Sequence, residues 1–323
     1  MNILVVGGAG YIGSHMVKTL HDEGHQVMVL DDLSTGFEQA VLGGNLFKGG
    51  MENPGLLDEL FSQSPPQAVM HFASFIQVGE SVRDPAKYYQ NNVAHTLVLL
   101  EAMRRHHVRW FIFSSSAAIF GNPEYTPIDE RHPIAPINPY GRSKWMVEQM
   151  LADYDRAYGI RSTCLRYFNA SGAHPLGILG ERHNPETHLI PLILKTAAGE
   201  RPQVDIYGQD YPTPDGTCVR DYIHVIDICQ AHSLALRRLI DTDTSTHYNL
   251  GNGTGFSVRQ VIDTARLVTG RNIPVSVSDR RPGDPAVLVA DSKLIRQELG
   301  WTPKYADLET IIRHAWQWEN HPV

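Results

Sequence analysis

Tyr140 and Lys144 stand four residues apart in the segment Asn138-Pro139-Tyr140-Gly141-Arg142-Ser143-Lys144. On a helix that spacing puts both side chains on one face. A free phenol, with a pKa of ~10, is a poor base at neutral pH. A neighbouring ammonium stabilises the phenolate and lowers that value, so the expected chemistry is proton transfer with Tyr140 as base. Ser114-Ser115-Ser116 follows the apolar segment Trp110 to Phe113, and the C-terminal ends of strands are where open α/β sheets place their chemistry. A hydroxyl at Ser116 both donates and accepts, and can pass a proton between a substrate hydroxyl and Tyr140.

A second group of residues has the types needed to hold a phosphate-bearing cofactor. Gly7, Gly10 and Gly13 form GxxGxxG after the segment Ile3 to Val6, with Gly8 adding freedom to the turn. Such glycines permit a tight turn, close approach of backbone to a pyrophosphate, and close packing of helix on strand. The helix that starts there offers unsatisfied N–H groups to the phosphates. Asp31 ends the next strand segment and is placed to accept hydrogen bonds from an adenosine ribose. A carboxylate at that position repels a 2′-phosphate, so NAD is expected over NADP. Lys144 is also suited to hold the nicotinamide ribose.

These residues must be positioned by a sheet. Strands are expected at Ile3 to Val6, Gln26 to Leu30, Ala68 to Phe72, Trp110 to Phe113 and Ser162 to Arg166. Their apolar residues are near-continuous, as in parallel strands covered on both faces. Helices are expected at Tyr11 to Glu23, roughly Pro85 to His106, and Tyr140 to Tyr158. Repeated βα units give a doubly wound parallel sheet, Rossmann-like, in the α/β class. Residues 173 to 216 are rich in Pro, Gly and His, with one helical stretch near Leu189 to Ala198, and Tyr222 to Leu239 reads as strand then helix. The expected division is therefore 1–172 plus about 222–252 for the cofactor domain. A smaller C-terminal α/β substrate domain takes about 173–221 plus 253–323.

Composition excludes several classes of function. A net charge of −7 without a Lys/Arg cluster argues against nucleic acid or an anionic membrane surface as partner. No apolar run approaches the ~18 residues of a membrane span. Cys164, Cys218 and Cys229 are widely spaced, with no CxxC pair, and indicate neither a disulfide framework nor a zinc site. The histidines suggest no metal site either: His106-His107 reads as a solvated helix end and His314 as part of a polar helix face. With a strand starting at the N-terminus and no room for a signal peptide, the expected compartment is cytoplasmic.

Further motifs are His71-Phe72-Ala73, Val78-Gly79-Glu80-Ser81-Val82, Tyr88-Tyr89-Gln90-Asn91-Asn92-Val93, Arg166-Tyr167-Phe168-Asn169, Val219-Arg220-Asp221-Tyr222-Ile223-His224-Val225 and Arg280-Arg281-Pro282-Gly283-Asp284. With the glycine turn and the Ser, Tyr, Lys set, they make nearly the whole chain resemble the extended short-chain dehydrogenase/reductase family, and within it the nucleotide-sugar 4-epimerases. The resemblance implies Ser116, Tyr140 and Lys144 as the catalytic residues. It also implies cofactor contacts from Tyr11, Ile12, Met51, Phe72, Ala73, Asn91 and Phe168. For the substrate, a UDP-hexose, it implies Asn169 at the phosphates, Arg220 and Arg281 on the pyrophosphate and Asp284 at the uridine ribose. His188, Leu189 and Tyr207 are further substrate contacts, and Leu288 stands where room beside the hexose C2 substituent is set. Arginine suits its part because its planar fork pairs bidentately with phosphate.

The activity so implied is reversible conversion of UDP-galactose to UDP-glucose at C4, through a 4-keto sugar and bound NAD. The alternative is action on UDP-N-acetylglucosamine, alone or as well. Dehydratases and decarboxylases of the family need an acid or base beside the catalytic Ser or Thr; here Ala117 and Ala118 follow Ser116, which argues against both. A non-catalytic dinucleotide sensor need not keep Ser, Tyr and Lys together. The chain departs from many relatives at Gly50, where an Asp is common, and at Ile76, where some carry Lys, so looser NAD retention is expected. Phe120 replaces a common Tyr, and His188 a common Asn. A homodimer is expected through the helices near Pro85 to His106 and Tyr140 to Tyr158, with Tyr88, Leu97, Leu100, Met146 and Met150 available for burial.

Overall fold

The computed structural model describes residues 1–281 and 284–320. The chain divides into two compact units. The first comprises Met1–Gly121, Ile134–Arg166 and Cys229–Tyr248; the second comprises Asn122–Pro133, Tyr167–Ile228 and Asn249–Val323. The breaks thus fall at 166 and 228, where the sequence reading puts them at 172 and about 222. The reading has no counterpart for residues 122–133. That segment joins the second unit because Ile128 bridges Ala290 and the Glu130 carboxylate accepts from the Asn249 N–H at 2.8 Å.

The first unit is built on strands β1 (Asn2–Val6), β2 (Gln26–Asp31), β3 (Asn45–Lys48), β4 (Ala68–His71), β5 (Trp110–Ser116) and β6 (Arg161–Tyr167), with a seventh at Thr246–Leu250. Their order across the sheet is the Thr246–Leu250 strand, then β6, β5, β4, β1, β2 and β3. The pairs β3–β2, β2–β1, β1–β4 and β4–β5 are parallel, with Ile3 opposite Val27 on one side and Ala68 on the other. Leu4, Val69 and Phe111, from the three central strands, are each fully buried. Full burial explains why these strands read as unbroken apolar runs. The two strands without such a run, β3 and Thr246–Leu250, are the sheet edges, where fewer side chains are covered.

Helices α1 (Tyr11–Asp22) and α2 (Pro54–Gln63) follow β1 and β3. The sequence reading has no helix at α2. Its start is nonetheless well specified, with Pro54 in the first turn and the Asn53 side chain accepting from the Leu56 N–H at 3.1 Å. The stretch expected as one helix from Pro85 to His106 is α4 (Pro85–Tyr89), a π-helical turn at Gln90–His95, and α5 (Thr96–Arg105), preceded by the short α3 (Val78–Arg83). The widened turn carries Asn92 inward. Its side-chain amide donates to the Phe75 carbonyl at 3.0 Å and to Ser143 Oγ at 3.1 Å, and accepts from the Phe75 N–H at 3.0 Å. Inserted turns of this kind concentrate at functional sites.

Helix α6 (Pro139–Tyr158) is bounded by clear signals. Asn138 Oδ1 accepts from the Gly141 N–H at 2.8 Å, Pro139 opens the first turn, and Gly159 ends the helix with φ 68°. One turn beyond Lys144, Glu148 turns into the sheet. The Arg166 guanidinium on β6 meets it through Nε–Oε1 at 3.0 Å and Nη2–Oε2 at 2.6 Å, and Ser115 Oγ donates to Oε1 at 2.5 Å. Both charged side chains are almost wholly buried. Of the residues expected to face a second protomer, Tyr88 and Leu100 are fully buried within their own unit, and the Tyr88 hydroxyl is bonded to the Gln77 carbonyl at 2.7 Å. Leu97 and Met146 are exposed.

The second unit has small sheets. Asn169–Ser171 runs parallel to Tyr222–His224; Phe256–Ser257, Val219–Arg220 and Val287–Leu288 form a three-stranded sheet; Val204–Tyr207 pairs with Val275–Ser278. Its core gathers Ile190, Ile193 and Leu194 of α7 (Leu189–Ala197) with Val261, Ile262, Ile311 and Ile312 from the helices Val258–Thr269 and Leu308–Glu319. Trp301 is fully buried, and its indole N–H donates to the Asp227 carbonyl at 3.0 Å.

Removing one partner of a buried ion pair strands the other charge and costs ~3–5 kcal/mol. Glu148→Ala is therefore expected to lose about that much stability, read as the fall in unfolding free energy from urea denaturation.

Candidate active site

The residues expected to transfer protons lie together in the first unit. Gly141 is what lets α6 begin where it does: a Cβ there would sit 2.4 Å from the Ala118 carbonyl oxygen. That close approach brings Tyr140 to the end of β5, near enough to the Ser116 side chain for Ser116 to favour the phenolate. Ser116 Oγ also accepts from the Ala118 N–H at 3.1 Å, which fixes the hydroxyl's direction. Lys144 is 2% exposed, and its Nζ donates to Ser74 Oγ at 2.7 Å and to the Ser114 carbonyl at 2.8 Å.

Burial holds the Tyr140 phenol above its ordinary value, and the Ser116 side chain pulls it back. Burial also lowers Lys144 to about 7, opposed by the nearby Glu148 charge. Lys144 is held by two neutral oxygens, and its Nζ is 5.9 Å from the Tyr140 ring centre. Among the described residues, Ser116 is the neighbour that favours ionisation of the phenol. Ser74 was missed in the sequence; the available signal was its place directly after His71-Phe72-Ala73, at the C-terminal end of β4.

The glycine turn fits a dinucleotide. Gly7 has φ +80°, and a Cβ there would lie 2.4 Å from the Ala73 N; a Cβ on Gly13 would lie 2.0 Å from the Gly7 carbonyl oxygen. At Gly10 a Cβ would stand 3.5 Å from the Gly7 carbonyl oxygen, and the residue precedes α1 without a side-chain cap, so Tyr11, Ile12 and Gly13 begin a helix whose first N–H groups are left for an anion. Asp31 is buried, with Oδ2 accepting from the Ala9 N–H at 2.8 Å and Oδ1 from the Leu33 N–H at 2.9 Å. Burial raises its pKa, and those two N–H groups oppose the rise.

Phe72 and Ala73 leave the end of β4 with both N–H groups donating to the Val6 carbonyl, at 2.8 and 3.1 Å. Asn91 lies in the π-helical turn, while the Met51 side chain is buried in the core with Leu57 and Leu60. At Gly50 an added Cβ would stand 1.9 Å from Glu52 Oε2, so the Glu52 carboxylate occupies the space beside that position. Ile76 is 36% exposed.

The second unit holds Phe168 and all the residues expected at the substrate apart from Ser116 and Tyr140. Asn169 pairs with Tyr222 across two parallel strands, and Leu288 stands opposite Arg220. Arg220 and Asp284, expected to bind different parts of a ligand, are instead ion-paired with each other. The Arg281 guanidinium lies over the Tyr207 ring, 3.9 Å from its centre. Pro282 and Gly283 of the same motif lie outside the described residues. Leu189 is the first residue of α7 and His188 its N-cap.

The sequence reading expects no metal site among the histidines; in the structure Glu181, His183, Glu186 and His188 bring four ligand atoms within 4.8 Å of one another. Burial opposes charge on the two histidines, but the carboxylates beside them outweigh it and raise His183 to about 9 and His188 to about 10.

A doubly wound parallel sheet with a glycine turn and a Ser, Tyr, Lys group whose lysine is buried defines a dinucleotide-dependent enzyme. Residues 3–251 match the NAD dependent epimerase/dehydratase family, and the chain belongs to that family. It is 49% identical over 323 residues to the UDP-glucose 4-epimerase of Halalkalibacterium halodurans, covering 100% of this chain and 97% of the relative. The Brucella ovis UDP-glucose 4-epimerase, crystallised with NAD, superposes with a TM-score of 0.95 at 50% identity, over 98% of this chain and 97% of the other. The Campylobacter jejuni UDP-Glc/GlcNAc 4-epimerase superposes with a TM-score of 0.87 at 42% identity, over 99% of each chain. NAD is the cofactor. No helix among the described residues is long and apolar enough to cross a membrane.

Forcing a methyl group into the 2.0 Å approach of Gly13 to Gly7 costs ~1–3 kcal/mol of overpacking at the turn. Gly13→Ala is expected to weaken NAD binding at least ~10-fold, measured by fluorescence titration, with the far-ultraviolet circular dichroism unchanged.

Proposed function

We propose that this enzyme interconverts UDP-galactose and UDP-glucose, inverting C4 through a transient 4-keto sugar. The observation that carries the reading is the Ser116, Tyr140, Lys144 group, set at the end of β5 in the same unit as the glycine turn. Bound NAD supplies a reversible hydride acceptor at C4 and a positively charged ring that favours the Tyr140 phenolate. Tyr140 takes the 4-OH proton, directly or through Ser116, and returns it after the hexose has presented its other face. Lys144, anchored by Ser74 and the Ser114 carbonyl, holds the nicotinamide ribose. Ala117 and Ala118 carry no proton, so elimination and decarboxylation have no partner group at this position.

Cofactor contacts come from Gly7, Gly10, Tyr11, Ile12, Gly13, Asp31, Met51, Phe72, Ala73, Asn91 and Phe168. For Met51 the contact falls to the backbone, since its side chain is in the core. Asn169, Arg220 and Arg281 take the UDP phosphates and Asp284 the uridine ribose, which requires Arg220 and Asp284 to exchange their mutual ion pair for ligand. Tyr207, Leu189 and the outer edge of His188, whose side chain is 40% exposed, complete the substrate contacts. Firm hold on UDP with few contacts to the hexose is what a turning intermediate demands. Leu288 is half-buried and smaller than tyrosine, which leaves room for slow action on N-acetylated UDP-hexoses.

The enzyme acts in galactose metabolism in the cytoplasm, and the free, buried Cys164, Cys218 and Cys229 accord with a reducing compartment. It works as a homodimer. Leu97 and Met146 are 43% and 40% exposed on α5 and α6, and apolar side chains that a second copy would cover support that reading. Light scattering is expected to give twice the chain mass, falling to one chain mass in Leu97→Glu/Met146→Glu; a monomeric wild type would refute it.

The deciding measurement is proton NMR of UDP-galactose with the purified protein, first without and then with added NAD. UDP-glucose is expected to appear and settle at a mixture, faster than the N-acetylated pair turns over. Tyr140→Phe is expected to lose ~10²-fold or more in turnover, as for a general base. Silence toward UDP-galactose with NAD present would refute the substrate, and unchanged turnover in Tyr140→Phe would refute the base.

A further inference from the structure

We propose that Glu181, His183, Glu186 and His188 form a structural binding site for one divalent transition-metal cation of the zinc type. All four lie in the segment that enters α7, and one ligand atom from each falls within 4.8 Å of the others. His188 Nδ1 is 2.6 Å from Glu181 Oε1 and 3.3 Å from Glu186 Oε1; His183 Nδ1 is 3.3 Å from Glu181 Oε1 and 3.5 Å from Glu186 Oε2. Tetrahedral zinc with bonds of ~2.0–2.2 Å spaces its ligand atoms ~3.3 Å apart. The two histidines meet different oxygens of Glu186, but each of these distances is close to that spacing, as is His183 to Glu181, and the short His188 to Glu181 distance has to open.

Direction argues the same way as distance. Despite these nearby oxygens, neither Nδ1 makes a hydrogen bond of good geometry, and both nitrogens are buried. Both nitrogens lie within the cluster of four ligand atoms. The carboxylates are themselves committed to that space, with the Glu181 and Glu186 side chains only 8% and 4% exposed. Without metal the two carboxylates are balanced by the protonated imidazoles, and a bound cation would take the place of those two protons.

The donor set selects the cation. Two imidazole nitrogens and two carboxylate oxygens suit zinc and its first-row neighbours, whereas calcium and magnesium favour oxygen alone. The ligands are also braced from behind. Glu186 Oε1 accepts from the N–H groups of Thr187 and His188, at 2.7 and 2.8 Å, and the Glu181 carbonyl accepts from the Trp318 indole N–H at 3.1 Å. Such outer contacts fix the direction of ligands around a metal. With four protein ligands the site is closed, which is the mark of a structural ion. Its work is to pin the entrance of α7, whose first residue is Leu189, and no proton or hydride passes through it.

The test uses untagged, full-length protein stripped with a chelator and titrated with Co²⁺. One equivalent per chain is expected to give the intense visible absorption of tetrahedral Co²⁺, removed by an equivalent of Zn²⁺. In His183→Ala/Glu186→Gln the affinity is expected to fall by more than ~100-fold, beyond what loss of an outer contact causes. No tetrahedral spectrum from the wild type would overturn the proposal, leaving the cluster a set of ion pairs. So would an unchanged spectrum from the folded double variant. Should that variant not fold, anomalous diffraction from wild-type crystals grown with Zn²⁺ decides: a peak among the four side chains upholds the site, and its absence there overturns it.

Discussion

The first unit depends on backbone approaching backbone at distances no side chain tolerates. At Gly141 the start of α6 closes to within 2.4 Å, measured from the missing Cβ, of the Ala118 carbonyl, and at Gly13 the start of α1 closes to 2.0 Å of the Gly7 carbonyl. Both contacts join a helix N-terminus to the turn that leaves a parallel strand. One sets Tyr140 beside Ser116; the other shapes the cofactor turn. Had either helix stood off by the width of a methyl group, the reacting groups would be misplaced by an amount that matters in catalysis.

Around that frame the polar residues are held by specific partners. Asn92 ties the loop at Phe75 to Ser143 on α6, one turn from Tyr140. Glu148, one turn beyond Lys144, ties the far side of α6 to Ser115 and Arg166. Tyr140 and Lys144 thus lie on a helix fixed from both directions. That rigidity is why burial, and not mobile solvent, governs their proton affinities. A site built this way has little freedom to reorganise, and catalysis by preorganised groups requires that.

How much was legible follows the same physics. The central strands announce themselves because burial on both faces demands apolar residues throughout. The glycine turn and the Tyr140–Lys144 pair are legible because their geometry is local, fixed by spacing along a single helix or turn. Edge strands β3 and Thr246–Leu250 lack the apolar run, and α2 is short, signalled by Asn53, Pro54 and one apolar set, Leu57, Leu60 and Phe61. The π-helical turn leaves no mark in hydrophobic periodicity, so Asn92 and the break between α4 and α5 escaped notice. Ser74, the Arg220–Asp284 pair and the segment 122–133 depend on contacts between residues far apart in the chain. Glu181, His183, Glu186 and His188 are close in sequence, but an irregular segment has no period from which convergence can be read.

Asp31 carries a consequence for how this enzyme's cofactor preference can change over generations. Its two oxygens already hold the Ala9 and Leu33 N–H groups, and Leu33 has the left-handed φ of 58°. The carboxylate that we place at the adenosine ribose is thus also the clasp that ties the loop after β2 to the turn after β1. An exchange for asparagine, which removes the charge, keeps one acceptor oxygen and loses the other, so one of the two N–H groups is left without its partner. Lineages built on this loop therefore face a two-step path, in which another acceptor for that N–H group must arise before the cofactor can switch. Adherence to NAD is in that sense inherited from the loop's own architecture.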